Sequence, residues 1–77
     1  MSKPTQITNS MRALRFARGE MTQAQLAQQI GVTRQTIIAI EQGRYSPSLE
    51  MAFQIARALR VPLDEVFQYA DGEGDQR

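Results

Sequence analysis

Only three residues, Gly31, Val32 and Thr33, separate two stretches whose apolar residues recur at helical spacing. That spacing leaves the chain few folds. The first stretch, "TQAQLAQQIG", opens with Thr22 and carries Gln25 three residues later, a capping-box pattern, and it places Leu26, Ala27 and Ile30 on one face. The second, "TRQTIIAIEQG", is capped by Thr33, buries Ile37 and Ile40, and stops at Gly43. Gly31 can take the positive φ that ends a helix abruptly, Val32 can plug the gap, and Ala27 is small enough for the next helix to cross close above it. Two helices joined this tightly form a helix-turn-helix spanning about residues 22–43, with the second helix held outward.

Other elements follow from the same punctuation. "TNSMRALRFARG" offers Thr8, Asn9 or Ser10 as a cap, apolar Met11 and Leu14, and Gly19 as a stop. "SLEMAFQIARALR" begins after Pro47–Ser48 and repeats apolar residues at Leu49, Ala52, Phe53, Ala56 and Leu59. Pro62 marks a break before the short helical turn "LDEVF". Near the ends, "TQIT" and "VFQYA" alternate instead, with Ile7 in one and Phe67 and Tyr69 in the other. They either pair as two antiparallel strands, about 5–9 and 66–70, or remain frayed ends. The expected fold is all-α: five helices containing a helix-turn-helix, with the ribbon as an optional addition. One domain covers residues 1–70, and the polar, acidic "DGEGDQR" at 71–77 reads as a disordered tail.

Composition narrows the chemistry. The chain has 77 residues and neither cysteine nor histidine, which removes disulfides, thiolate sites, imidazole bases and the usual zinc sites. With no paired-carboxylate site outside the tail, catalysis is not expected, and no cofactor or metal is implied. No run is long and apolar enough for a membrane span or a signal peptide, so the expected location is the cytoplasm. A net charge of +1 hides an asymmetry. Residues 1–60 hold eight Lys/Arg against three Asp/Glu, +5, whereas residues 61–77 hold five acids against Arg77, −4. A basic body with an acidic tail fits either a polyanion partner or an ordinary solvated surface.

The segments "TQAQLAQQIGVTRQTI", "IEQGRYSPSL" and "IARALRVPLDEVF" resemble the Xre/Cro-like family of bacterial and phage helix-turn-helix regulators. The similarity covers roughly residues 11–69, and it is greatest to the very short regulators that end soon after "VFQY". It implies a lambda-repressor-like fold and sequence-specific binding of double-stranded DNA by a homodimeric repressor at a palindromic operator. No small-molecule effector is evident.

On this reading the outward positions Arg34, Gln35, Thr36, Ile38 and Ala39 face base edges in the major groove. Gln35 can bind adenine N6 and N7 in a bidentate way. Arg34 can do the same to guanine O6 and N7, or hold a phosphate. Ile38 either touches thymine methyl groups or packs sideways on a neighbouring helix. The resemblance further implies phosphate contacts from Gln23 and from Arg44 and Tyr45, just past Gly43. Thr33 could serve as cap and backbone contact together. A structural pairing of Arg15 with Glu41 is also implied, although "ARGEMTQ" is one residue longer than in many relatives. Ile7, Leu63, Val66, Phe67 and Tyr69 are the expected dimer surface; the alternative is that the "VPLDEVFQY" residues only close the core of one chain.

Overall fold

The three-residue turn predicted from the sequence is the pivot of the observed architecture. The computed structural model describes residues 6–69. The elements run in the order β1 (Ile7–Asn9), α1 (Met11–Ala17), α2 (Gln23–Ile30), α3 (Arg34–Glu41), α4 (Leu49–Leu59), α5 (Leu63–Val66) and β2 (Phe67–Tyr69). The ends of this region pair as an antiparallel ribbon, with Ile7 opposite Tyr69, Thr8 opposite Gln68 and Asn9 opposite Phe67. Thr5 and Ala70, at the outer limits expected for the strands, and the acidic tail at 71–77 lie outside the described residues.

Local chemistry accounts for the helix ends. Thr22 and Gln25 form the reciprocal capping box: the Gln25 N–H donates to Thr22 Oγ1 (3.0 Å), and the Thr22 N–H donates to Gln25 Oε1 (2.8 Å). Gly31 terminates α2 at φ +79°, in the left-handed region where a glycine avoids the Cβ clash. The N–H groups of Gly31 and Val32 both donate to the Ala27 carbonyl, at 2.9 and 3.0 Å. Thr33 then caps α3 by accepting from the Thr36 N–H (3.2 Å), and Ser48 caps α4 in the same way from Met51 (3.1 Å). α1 starts differently. Ser10 occupies the cap position without a side-chain cap bond, and Asn9 Oδ1 accepts from the Met11 N–H (3.1 Å).

Met11, Leu26, Ile37, Ile55, Leu59 and Val66 are fully buried and form the centre of the core, joined by Met21, Ala27, Ile40 and Ala56. Each large aliphatic side chain so buried contributes about 1.5–3 kcal/mol relative to exposure. One helix buries only part of its apolar repeat. In α4 the buried residues are Ala52, Ile55, Ala56 and Leu59, while Leu49 and Phe53 are 70% and 50% exposed. Two overlapping apolar stripes run along this helix. The helix turns inward the one carrying Ile55, and the larger side chains of the other face solvent.

Val66 also changes role. It is 0% exposed within a single chain, and its carbonyl accepts from the Ser10 N–H at 2.9 Å. It therefore belongs to the core and not to a surface that a second copy could cover.

Candidate nucleic-acid interface

α3 presents two unlike faces because Ile37 and Ile40 lock one of them into the core. On the opposite side Arg34 and Gln35 are exposed at the first turn, and Thr36, Ile38 and Ala39 are half-buried. Thr36 is held by its neighbour: its Oγ1 lies 3.0 Å from Thr33 Oγ1, so the cap and the third residue of the helix share one hydroxyl pair. The half-burial of Ile38 leaves part of its side chain at the surface and part against the protein, between the two alternatives drawn from the sequence.

A buried polar cluster fixes how α3 sits on the rest. Arg15 Nε donates to Glu41 Oε2 at 2.7 Å and Nη2 to Glu41 Oε1 at 3.0 Å, a bidentate pair with side chains only 8% and 9% exposed. Arg15 Nη1 donates to the Met21 carbonyl at 2.8 Å. Gln23 Nε2 completes the set by donating to Glu41 Oε1 at 3.0 Å. One carboxylate thus joins α1, the start of α2 and the end of α3. In the loop that follows α1, Gly19 and Glu20 adopt successive positive φ angles of 76° and 61°. With "ARGEMTQ" in this conformation the Arg15–Glu41 pair forms, as the resemblance implies.

Gln23 is therefore engaged within the protein through one amide hydrogen while sitting at the first position of α2. Its neighbours around an open cleft include Thr22, Arg12, Arg34 and Gln42. Past α3, Gly43 at φ +75° turns the chain, and Arg44 and Tyr45 are exposed. The Arg44 guanidinium is steadied by Gln42, with Nε donating to Oε1 at 2.9 Å. Phe16, unassigned from the sequence, is 54% exposed on α1, and the Arg12 guanidinium lies 5.7 Å from its ring centroid.

The sequence reading missed Asn9, whose side chain links the ribbon to the end of α3. Its position two residues before the start of α1 pointed only to a cap. Among the described residues there is no group of His, Cys, Asp or Glu that could hold a metal ion, and no helix is long and apolar enough to cross a membrane.

An outward helix, capped at its N-terminus and joined to a supporting helix by Gly31, Val32 and Thr33, defines a helix-turn-helix DNA-binding domain. Comparison with known proteins gives the family. The model of the family described as Helix-turn-helix matches residues 11–66. The chain belongs to the Xre/Cro-like helix-turn-helix family of DNA-binding transcriptional regulators.

An uncharacterised helix-turn-helix-type transcriptional regulator of Methanocaldococcus jannaschii is 53% identical over 53 residues, covering 69% of this chain and 80% of that protein. Another, from Methanothermobacter thermautotrophicus, is 60% identical over 48 residues, covering 61% and 70%. The crystal structure of the restriction-modification controller protein C.AhdI from Aeromonas hydrophila superposes with a TM-score of 0.65 at 33% identity, covering 71% of this chain and 78% of that one.

Proposed function

We propose that the protein is a homodimeric, cytoplasmic repressor that reads a palindromic double-stranded DNA operator with α3 in the major groove. The observation that carries this reading is the pairing of exposed Arg34 and Gln35 at the capped start of α3 with a buried face, Ile37 and Ile40, that turns them outward. Arg34 and Gln35 act as the principal base readers, Thr36 lies beside them, and Ile38 and Ala39 supply apolar contact. Gln23, Thr33, Arg44 and Tyr45 flank the reader and take phosphates. Gln23 has a second amide hydrogen for that purpose, and the free N–H groups at the start of α2 favour an anion nearby.

A second copy would cover the surface of Ile7, Leu63, Phe67 and Tyr69. Its support is an apolar groove bordered by Ile7, Pro47, Leu49, Ala52, Leu63, Asp64 and Phe67, with Tyr69 66% exposed beside it in β2. A two-fold dimer places its reading helices about 34 Å apart, one turn of DNA, so its site is palindromic. Occupying such a site blocks access to a promoter that overlaps it.

The test is selection of a duplex from a random pool, followed by fluorescence anisotropy against the selected duplex and an unrelated one at two salt concentrations. The reading expects a palindromic sequence, binding that weakens steeply with salt, and loss of the preference in Gln35→Ala. Equal, weak binding to every duplex would refute sequence reading. A tight complex with one-half of the palindrome by a single chain would refute the dimer.

A further inference from the structure

Asn9 stands where the ribbon, α1 and α3 meet. Its backbone ends β1 opposite Phe67, and the N–H of the following residue, Ser10, donates to the Val66 carbonyl. Its side chain leaves the ribbon and divides its two functions. Oδ1 accepts from the Met11 N–H at 3.1 Å and so starts α1. Nδ2 donates to the Ile40 carbonyl at 3.1 Å and, at a longer 3.4 Å, to the Glu41 carbonyl. Both acceptors belong to the last turn of α3, where helix carbonyls lack the usual partner four residues on. The Ile40 carbonyl also receives the Gly43 N–H at 3.0 Å, so Asn9 adds a donor from a distant part of the chain.

We propose that Asn9 is a positioning residue for DNA reading: its amide fixes the C-terminal end of α3 to the terminal ribbon and so sets the tilt at which Arg34 and Gln35 are presented. This rests on the reading that α3 enters the groove. The N-terminal end of α3 is held by the three-residue turn to α2. A helix of eight residues held at one end alone can still tilt. A tilt of roughly 10° carries side-chain tips some 6 Å from the axis through about 1 Å, enough to spoil bidentate hydrogen-bond geometry. The Arg15–Glu41 pair restrains the same end through a side chain, whereas Asn9 grips its backbone.

Residue chemistry explains why an amide stands here. The position requires an acceptor toward α1 and a donor toward α3 on one short side chain, and asparagine supplies both. A carboxylate would keep the first contact and oppose the second. Because the ribbon also carries Phe67 and Tyr69, the same strap connects the proposed dimer surface with the reading helix.

Asn9→Asp separates the two functions, since it retains the acceptor for Met11 and loses the donor to Ile40. The full chain is compared with Asn9→Asp and Asn9→Ser by amide hydrogen exchange and by anisotropy on the duplex selected with the wild-type protein. The expected result has three parts in Asn9→Asp. Exchange quickens at the Gln42, Gly43 and Arg44 amides while the α1 amides stay protected. Preference for the selected over an unrelated duplex falls on the order of tenfold. Affinity for the unrelated duplex stays as in the wild type. Unchanged exchange at the end of α3, or an unchanged preference in both variants, would overturn the proposal. If the wild-type protein selects no duplex, the groove reading fails; the exchange result then refutes the strap if α3 stays protected and supports it if α3 loosens.

Discussion

Removing Arg15 should cost more than any other single polar substitution in this domain. Its guanidinium and the Glu41 carboxylate are 8% and 9% exposed and joined in bidentate fashion, so Arg15→Met leaves a carboxylate buried with Gln23 as its remaining side-chain donor. It also strips the Met21 carbonyl of its donor. Breaking a buried pair on one side costs about 3–5 kcal/mol, mostly from the stranded charge. A domain of this length has a total stability of roughly 4–12 kcal/mol. At about 4–8 °C per kcal/mol, the thermal midpoint falls by roughly 12–40 °C.

The double variant Arg15→Met/Glu41→Leu should recover much of that loss, because it removes the charge instead of orphaning it. Circular dichroism melts of the wild type, both single variants and the double variant form the necessary cycle. A loss of under about 1 kcal/mol in Arg15→Met would place the pair among solvent-screened surface bridges and refute the reasoning. A double variant no more stable than the singles would refute it as well, since the cost would then lie in packing and not in charge.

Other substitutions probe the backbone and the surface. Gly31→Ala should destabilise by about 1–2 kcal/mol through its left-handed φ alone, because an added Cβ meets no atom within 4 Å; urea unfolding measures it. Arg60 caps α4 at φ +63°, so Arg60→Gly should raise stability by about 1 kcal/mol, read from the same titration. Tyr69→Ser, at a position 66% exposed in the single chain, should leave the unfolding of the monomer unchanged. In sedimentation equilibrium it should weaken self-association about tenfold.

Where a contact is local, the sequence carries it. Thr22 with Gln25, Gly31 and Thr33 each act within a few residues of themselves, and their spacing suffices to locate α2, the turn and α3. The ribbon was half legible: the alternation in "TQIT" and "VFQYA" allows strands, but pairing across sixty residues depends on how the helices bring the ends together. α4 shows the limit of periodicity. Leu49 and Phe53 recur at helical spacing as well as Ile55 does, and only the space offered by core residues of other elements, such as Met11, Leu26 and Ile37, decides which stripe turns inward. Asn9 was legible only as a cap candidate for α1; its link to α3 could not be read, since the acceptors there are backbone carbonyls, which have no signature in sequence. In the candidate site, the residue types on α3 were legible, and their exposure followed from Ile37 and Ile40.

The ribbon also imposes a schedule on synthesis. Ile7 leaves the ribosome early and Tyr69 some sixty residues later, yet they are partners. A growing chain can form the turn at Gly31–Thr33 from residues already emerged, but it has nothing to pair with β1 until β2 appears. Until then Asn9 has no strand to anchor it, and Val66 is missing from the core. The long loop must close before the pairing rewards it. The nascent chain thus completes the turn, α3 and the Arg15–Glu41 pair well before Asn9 gains the strand that anchors it, so the last restraint on the end of α3 arrives with the final strand.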